Sequence, residues 1–323
     1  MSLTSKRVRI YRPVRWYYRV RYHSLGSISM TSQPLKNSSN MAADLYQDLA
    51  RDVSGFLRLA FTLKRMTGIN LPQNEKNLSL MASRVIHIMR DHNFAGYDQL
   101  LGAIEKDKTG VAVQFVECLT TNTTSFFREE GHFPVLQKVL RERAKIAEQA
   151  GRRELRVWCA AASTGQEPYT IAMTAIEALQ SYSSIALRIL ATDIDRVALT
   201  KASRGIYTED EISRIPPQLK SSYFSERSTN SGKRFVAKDH LKSVLTFAPL
   251  NLIETPYPFR FEFDVIMCRN VLIYFDQDTV AGIVGRMDKA LFKGGYLFLG
   301  HAETSARRPS GMTTISHAVF QKS

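Results

Sequence analysis

Four short segments concentrate side chains able to hold a polar, charged ligand. The first, T-T-N-T-T-S-F-F-R-E at residues 120–129, places hydroxyls, an amide, two aromatics and an arginine within ten positions, a donor set able to close over a ligand. The same Ser, Thr and Asn residues also suit a helix start over buried Phe126 and Phe127. The second, R-V-W-C-A-A-A-S-T-G-Q-E-P-Y-T at 156–170, ends an apolar run in small residues, Ala160 to Gly165, past which backbone can approach a ligand. Pro168 fits the first turn of a following helix, where a missing N–H costs nothing. Only Gly165 of a G-x-G-x-x-G pattern is present, so the signature of a pyrophosphate cradle is lacking. In the third, A-T-D-I-D at 191–195, Asp193 stands at a strand tip, where a carboxylate can accept from both hydroxyls of an adenosine ribose. Asp195 reads as the cap of the next helix, although either acid alone suits a cap. The fourth, F-D-V-I-M-C-R-N-V-L-I-Y-F at 263–275, puts Arg269 and Asn270 directly after an apolar run and Tyr274 one helical turn later. An arginine without a partner is expensive in a core, which favours a surface or cleft for Arg269.

These segments need a scaffold, and 323 residues at about 150 per domain allow one or two domains. With 44% hydrophobic and 23% charged residues, the composition is that of a folded chain and excludes a disordered or fibrous one. No apolar run approaches the roughly 18 residues of a membrane span. Cys118, Cys159 and Cys268 form no C-x-x-C pair and no even disulfide framework, and the seven histidines show no metal-ligand spacing. A reduced, cytoplasmic setting and a metal-free site are expected. The net charge is +14, but residues 1–40 hold eight Lys/Arg and no acid, which leaves +6 for the remainder. That first block, rich in Arg and aromatics and then in Ser and Asn, is expected to be a disordered extension, with Met41 a possible natural start. A basic arm for RNA or an anionic membrane is its alternative reading.

Residues 41–150 carry helical spacing and are expected to form an all-helical domain and linker. Leu45, Leu49, Val53, Phe56, Leu57 and Ala60 recur at three and four up to a stop at Gly68. A second helix is predicted over 74–91, with Leu78, Met81, Val85, Ile88 and Met89 on one arc and Arg84, His87 and Arg90 opposite. Further helices are expected over 97–106, 109–119 and 132–148. From 151 onward, apolar runs at 155–160, 186–191, 263–268 and 296–299 alternate with helices, the pattern of a parallel sheet covered on both faces. The interval 207–247 breaks this alternation. There the turn 227–234, with the strand-like F-V-A (235–237) and V-L-T-F (244–247) after it, predicts an inserted β-subdomain.

The four segments, with R-G-I-Y at 204–207 and the same order along the chain, resemble the CheR-type chemotaxis receptor glutamate methyltransferases over about residues 45–303. The resemblance implies an α/β chain: a Rossmann-like S-adenosylmethionine-dependent methyltransferase domain with a small inserted β-subdomain, behind an N-terminal all-helical domain. It implies S-adenosylmethionine as cofactor, S-adenosylhomocysteine as product, and γ-methyl ester formation on glutamates of chemoreceptor cytoplasmic helices. Carried over by motif, Asn122, Thr124, Arg128, Glu167, Asp193, Asn251, Leu252, Arg269 and Asn270 would contact the cofactor, and Arg128 and Tyr274 would border the methyl-transfer point. Arg84, His87 and Arg90 would face the acidic receptor surface as substrate-binding residues. A monomer without nucleic-acid partners or membrane insertion is expected.

The chemistry agrees with that implication. A glutamate with an ordinary pKa of about 4.3 is already ionised at pH 7, so no general base is needed. The Asn/Asp-Pro-Pro-Tyr/Phe element that holds planar nitrogens in amino-directed methyltransferases is missing, which counts against base or amide methylation. The chain departs from the family in carrying His87 and Ile88 where more basic residues are expected, and in a Gly-poor turn at 228–233, so pentapeptide binding is not assigned. The alternatives are a non-catalytic cofactor-binding signalling or scaffold protein on the same fold, and an RNA methyltransferase using the basic arm.

Overall fold

The computed structural model describes residues 38–106, 110–230, 232–303 and 311–323. The basic block at 1–37 lies outside the described residues, and with it the expectations for that extension.

Five helices open the fold: α1 (Ser38–Arg51), α2 (Val53–Thr67), α3 (Glu75–Asp91), α4 (Tyr97–Lys106) and α5 (Val111–Leu119). The single helix expected up to Gly68 is two, because the Asp52 carboxylate accepts the Gly55 amide at 2.8 Å and caps a new helix start. Gly68 ends α2 as expected, in the left-handed region at φ 79°, its N–H donating to the Lys64 carbonyl. A Cβ there would come within 2.6 Å of Ile253 Cγ2, so the glycine also lets the helical unit close against the second domain. Asn74 caps α3 through the Asn77 amide at 2.8 Å. The apolar faces of these helices, from Leu49 to Leu119, form one core of their own.

The next helix, α6 (His132–Gln149), buries Phe133, Leu136, Val139 and Leu140 in the core of the sheet. The boundary expected near residue 150 therefore falls before α6, whose apolar face needs the sheet to cover it. The sheet has seven strands in the order β6-β2-β1-β7-β8-β10-β9. They are β1 (Glu154–Ala160), β2 (Ala186–Asp193), β6 (Leu245–Pro249), β7 (Phe263–Cys268), β8 (Leu291–Leu299), β9 (Met312–Ser316) and β10 (Val319–Lys322). The first five are parallel, and β10 runs antiparallel to β8 and β9. Every residue of β7 is buried, as a strand covered on both faces requires. Helices α7 (Gln166–Ala178), α8 (Arg196–Arg204) and α9 (Gln277–Ala290) link the parallel strands.

The insertion is a three-stranded antiparallel sheet of β3 (Ile206–Thr208), β4 (Phe224–Thr229) and β5 (Gly232–Ala237) in the order β3-β5-β4. V-L-T-F does not belong to it, contrary to the expected span 207–247. Residues 245–249 are β6, which extends the main sheet beside β2, with Leu245 opposite Ile189. A short apolar run suits either sheet, and only the parallel partner decides between them. Among the described residues no helix is long and apolar enough to cross a membrane.

At the end of β7 away from the cleft, Asp264 is fully buried between two arginines. It accepts from Arg143 Nε and Nη2 at 3.2 and 3.0 Å, from Arg152 Nη1 and Nη2 at 3.2 and 2.7 Å, and from the Arg156 amide at 3.0 Å. This carboxylate ties α6 and the start of β1 to the sheet.

Candidate functional site

The strand order reverses between β1 and β7, the place where open α/β sheets bind ligands at their carboxyl ends. A cleft opens there, walled on its far side by the end of α2 and the strap 119–124. All of Asn122, Thr124, Arg128, Glu167, Asp193, Asn251, Leu252, Arg269, Asn270 and Tyr274 line it. These ten residues come from distant parts of the chain and meet around one cavity.

The backbone around the cleft is held in an unusual state. Of seven non-glycine residues with positive φ among those described, Phe127, Glu129, Ala161, Ser163 and Asn270 belong to the segments that build the cleft. Such conformations are costly and persist where the surroundings over-determine them, typically at functional sites. Gly165, at φ 102°, starts α7, and a Cβ there would come within 2.5 Å of the Tyr207 hydroxyl, so only glycine fits this turn.

Two carboxylates organise the β2 side. Asp193 accepts the Ser163 amide at 2.7 Å and the Asp195 amide at 2.9 Å, so each oxygen keeps a lone pair for a further donor. Burial pushes its carboxyl up, against the pull of those amides. Asp195 caps α8 through the Ala198 amide, as the sequence suggested. It also accepts from Thr120 Oγ1 at 2.8 Å and Asn122 Nδ2 at 2.7 Å, pinning the strap to the strand tip.

Arg269 organises the β7 side. It is 3% exposed, not free in the cleft, and its cost is met by Glu129 Oε2 at 3.0 Å from Nη2 and Glu167 Oε2 at 3.3 Å from Nη1. Nη2 also donates to the Arg128 carbonyl. Burial raises the Glu129 carboxyl, but hydrogen bonds from Asn270 and Arg269 and the arginine's charge outweigh it and hold the group down at about 2. Glu167 is different: burial pushes it up in spite of Arg269, and its Oε1 has no hydrogen-bond partner. Asn270 Oδ1 is likewise unpartnered. Buried acceptors left open in this way fit a ligand that brings donors or positive charge. A sulfonium cofactor with an ammonium group and ribose hydroxyls brings both, so the residues present fit it.

Sequence reasoning missed several residues that shape the cleft. Glu129 was visible only as the last letter of its motif. Glu303, 3% exposed, accepts the Val271 and Leu272 amides at 2.7 Å each and the Gly300 amide on its other oxygen, and so holds the turn that carries Asn270 and Tyr274. Glu129, His132 and His301 also converge, with potential ligand atoms within 4.8 Å of one another, a cluster no spacing announced. Both Glu129 oxygens already accept protein donors, from Asn270, Arg269 and the His301 amide.

The proposed recognition residues stand apart from the cleft. Arg84 does not face outward with the other two: its Nη1 donates to the Cys118 and Thr120 carbonyls at 3.0 and 2.9 Å. Those carbonyls at the end of α5 lack helical partners, and a cation there is favoured by the helix dipole. His87 and Arg90 are exposed on α3.

A parallel sheet with this order, an acid at the tip of its second strand and a cleft lined by open acceptors define a Rossmann-like domain that binds a nucleoside cofactor. Residues 122–319 match the family described as "CheR methyltransferase, SAM binding domain". A chemotaxis protein methyltransferase of Borreliella burgdorferi is 35% identical over 258 residues, 79% of this chain and 89% of that protein. Chemotaxis protein methyltransferase 2 of Pseudomonas aeruginosa is 36% identical over 267 residues, 82% and 91% of the two chains. The Escherichia coli chemotaxis protein methyltransferase is 34% identical over 295 residues, 90% and 98%. This chain belongs to the CheR methyltransferase family. It is an S-adenosylmethionine-dependent methyltransferase, with S-adenosylhomocysteine as product.

Proposed function

We propose that the chain esterifies glutamate side chains on the cytoplasmic helices of methyl-accepting chemoreceptors. The observation that carries this reading is Arg128. It lines the cleft with one hydrogen bond, Nη1 to the Thr123 carbonyl at 2.9 Å, and among the described residues no acid pairs with it. The neighbouring Arg269, by contrast, is already ion-paired with two carboxylates. An incoming carboxylate therefore finds one available guanidinium, suited to a bidentate grip. Among the described residues the cleft lining contains no His, Lys or Cys, which suits an acceptor already ionised at pH 7.

When bound, the cofactor supplies a methyl group on a cationic sulfur, to be displaced by an acceptor oxygen with no proton in transit. The chain's own residues do the rest. Arg128 orients the acceptor, and Tyr274 borders the point of transfer. Asp193, Asn122 and Thr124 hold the nucleoside end, with Glu167, Arg269 and Asn270 at the charged end and Asn251 and Leu252 on the α2 side. Because opposite charges cancel as the bond forms, exclusion of water by the strap and α2 assists the step. The relatives are named methyltransferases, and Arg128 and Tyr274 both stand in the cleft, so a non-catalytic scaffold is disfavoured.

The test is incubation with radiolabelled S-adenosylmethionine and receptor-containing membranes. Label on receptor protein that mild alkali releases supports a carboxyl ester. Alkali-stable label, or label on RNA, overturns it.

A pH prediction follows from Glu167. Its carboxyl is raised by burial, so a fraction stays protonated above the ordinary value of about 4.5, whereas a nearby ligand cation favours the ionised form. Binding then releases a proton, and affinity for S-adenosylmethionine should strengthen as pH rises through the raised pKa of this carboxyl. Calorimetry in buffers of different ionisation enthalpy should show that release, and Glu167→Gln should reduce it. An unchanged pH slope in the variant removes Glu167 from the binding set.

A further inference from the structure

Two carboxylates outside the expected site set converge on Asn270. This residue follows β7 in the left-handed region at φ 58°, and the amides of Val271 and Leu272 after it turn toward a single acceptor. Glu303 Oε1 takes both at 2.7 Å, while its Oε2 accepts the Gly300 amide just past β8. All three partners are donors, so the carboxylate sits as an internal anion in a nest of backbone N–H groups. Gly300 completes the clamp. A Cβ there would come within 2.6 Å of Glu303 Oε2 and 2.8 Å of the Asn270 amide nitrogen, so only glycine lets the ends of β7 and β8 approach this closely. The Asn270 side chain is fixed separately: Nδ2 donates to Glu129 Oε1 at 2.9 Å, and turning the amide over would set two acceptors against each other. Oδ1 is left buried and without a partner, able to accept and unable to donate.

We propose that Glu303 is a positioning residue for cofactor binding, which holds the backbone of Asn270, while Glu129 holds its amide, so that Oδ1 meets a hydrogen-bond donor of the bound cofactor. The proposal rests on the placement of Asn270 at the charged end of the cofactor and deepens it. Glu303 does not line the cleft, so its effect on a ligand passes through the turn it supports. Such support matters because a binding group must be held within about 0.5 Å of its productive place. An Oδ1 that misses its donor stays buried and unpaired, and the bound state then loses more than one hydrogen bond's net worth.

The experiment is a double-mutant cycle on S-adenosylhomocysteine affinity, measured by calorimetry on the full chain with no receptor present. Glu303→Gln keeps the size of the side chain but sets an amide N–H against a backbone N–H that needs an acceptor. It should weaken S-adenosylhomocysteine about tenfold, the order of a lost hydrogen bond to a charged group. Asn270→Gly removes the side chain and keeps the left-handed backbone. In that background Glu303→Gln should cost less than about twofold, because the group it aims is gone. A purely structural role predicts equal losses in both backgrounds. That result overturns the proposal, as does an unchanged affinity in Glu303→Gln or in Asn270→Gly alone. Gly300→Ala presses on the same turn without altering a charge, and it repeats the cycle should Glu303→Gln fail to fold. Because no methyl acceptor is present, these outcomes hold whether or not receptors take up label, which separates failure of this proposal from failure of the proposed function.

Discussion

Arg128→Ala should lower turnover on receptor by about 10²–10³-fold, the range seen when a preorganised donor is removed from a charge-developing site, while the protein stays folded. The side chain makes one internal hydrogen bond, to the neighbouring Thr123 carbonyl, and the Arg128 carbonyl that serves Arg269 survives the substitution. Little of the fold depends on the guanidinium. What depends on it is the placement of an acceptor carboxylate, and a misplaced nucleophile loses most of the advantage of being bound. Affinity for S-adenosylhomocysteine should change far less than kcat, because Glu167, Asp193 and Asn270 remain. Arg128→Lys should recover little, since an ammonium cannot reproduce a bidentate fork. Single-turnover methyl transfer, product calorimetry and thermal melting together check this. Near-normal methyl incorporation in Arg128→Ala would refute the assigned role.

Asp264→Ala should be the most destabilising of these substitutions, by about 3–5 kcal/mol, because it leaves charged groups of a buried network unpaired. The carboxylate is fully buried and accepts five protein N–H groups, four of them from Arg143 and Arg152. Asp264→Asn should also destabilise, since a neutral amide cannot balance two guanidinium groups. The lesion sits at the start of β7, and Arg269 follows its end, five residues along at about 3.3 Å each. Below the melting temperature, S-adenosylhomocysteine affinity should therefore stay close to that of the unaltered chain. Urea unfolding and calorimetry separate the two quantities. Loss of affinity without loss of stability would show that the far end of the strand is coupled to the cleft.

Elements with a local signature were readable in one dimension. Asn74, Asp195 and Asp276 each cap the helix that follows, because an acceptor side chain three positions before an unpaired amide needs nothing beyond its own neighbourhood. Asp52 carries the same signature, but the apolar spacing runs on through it, and so two helices were read as one. The insertion was seen as a break in the alternation. Its boundary was misplaced because V-L-T-F has no feature that prefers a hairpin over an edge position beside β2.

The cleft shows the same division. Residue order and type alone specified a parallel sheet, small-residue turns at its carboxyl end and an acid at the tip of the second strand, and the family resemblance implied the ten residues that meet around the cavity. Folding in three dimensions decided which charges are available. Arg269 is consumed by Glu129, 140 positions away, and by Glu167, Arg84 turns inward to the end of α5, and Arg128 is left to meet a ligand. Periodicity and capping are short-range effects and leave their mark in consecutive residues. The pairing of buried charges depends on which distant segments the closed chain brings within a few ångströms, and burial then makes each pairing all or nothing.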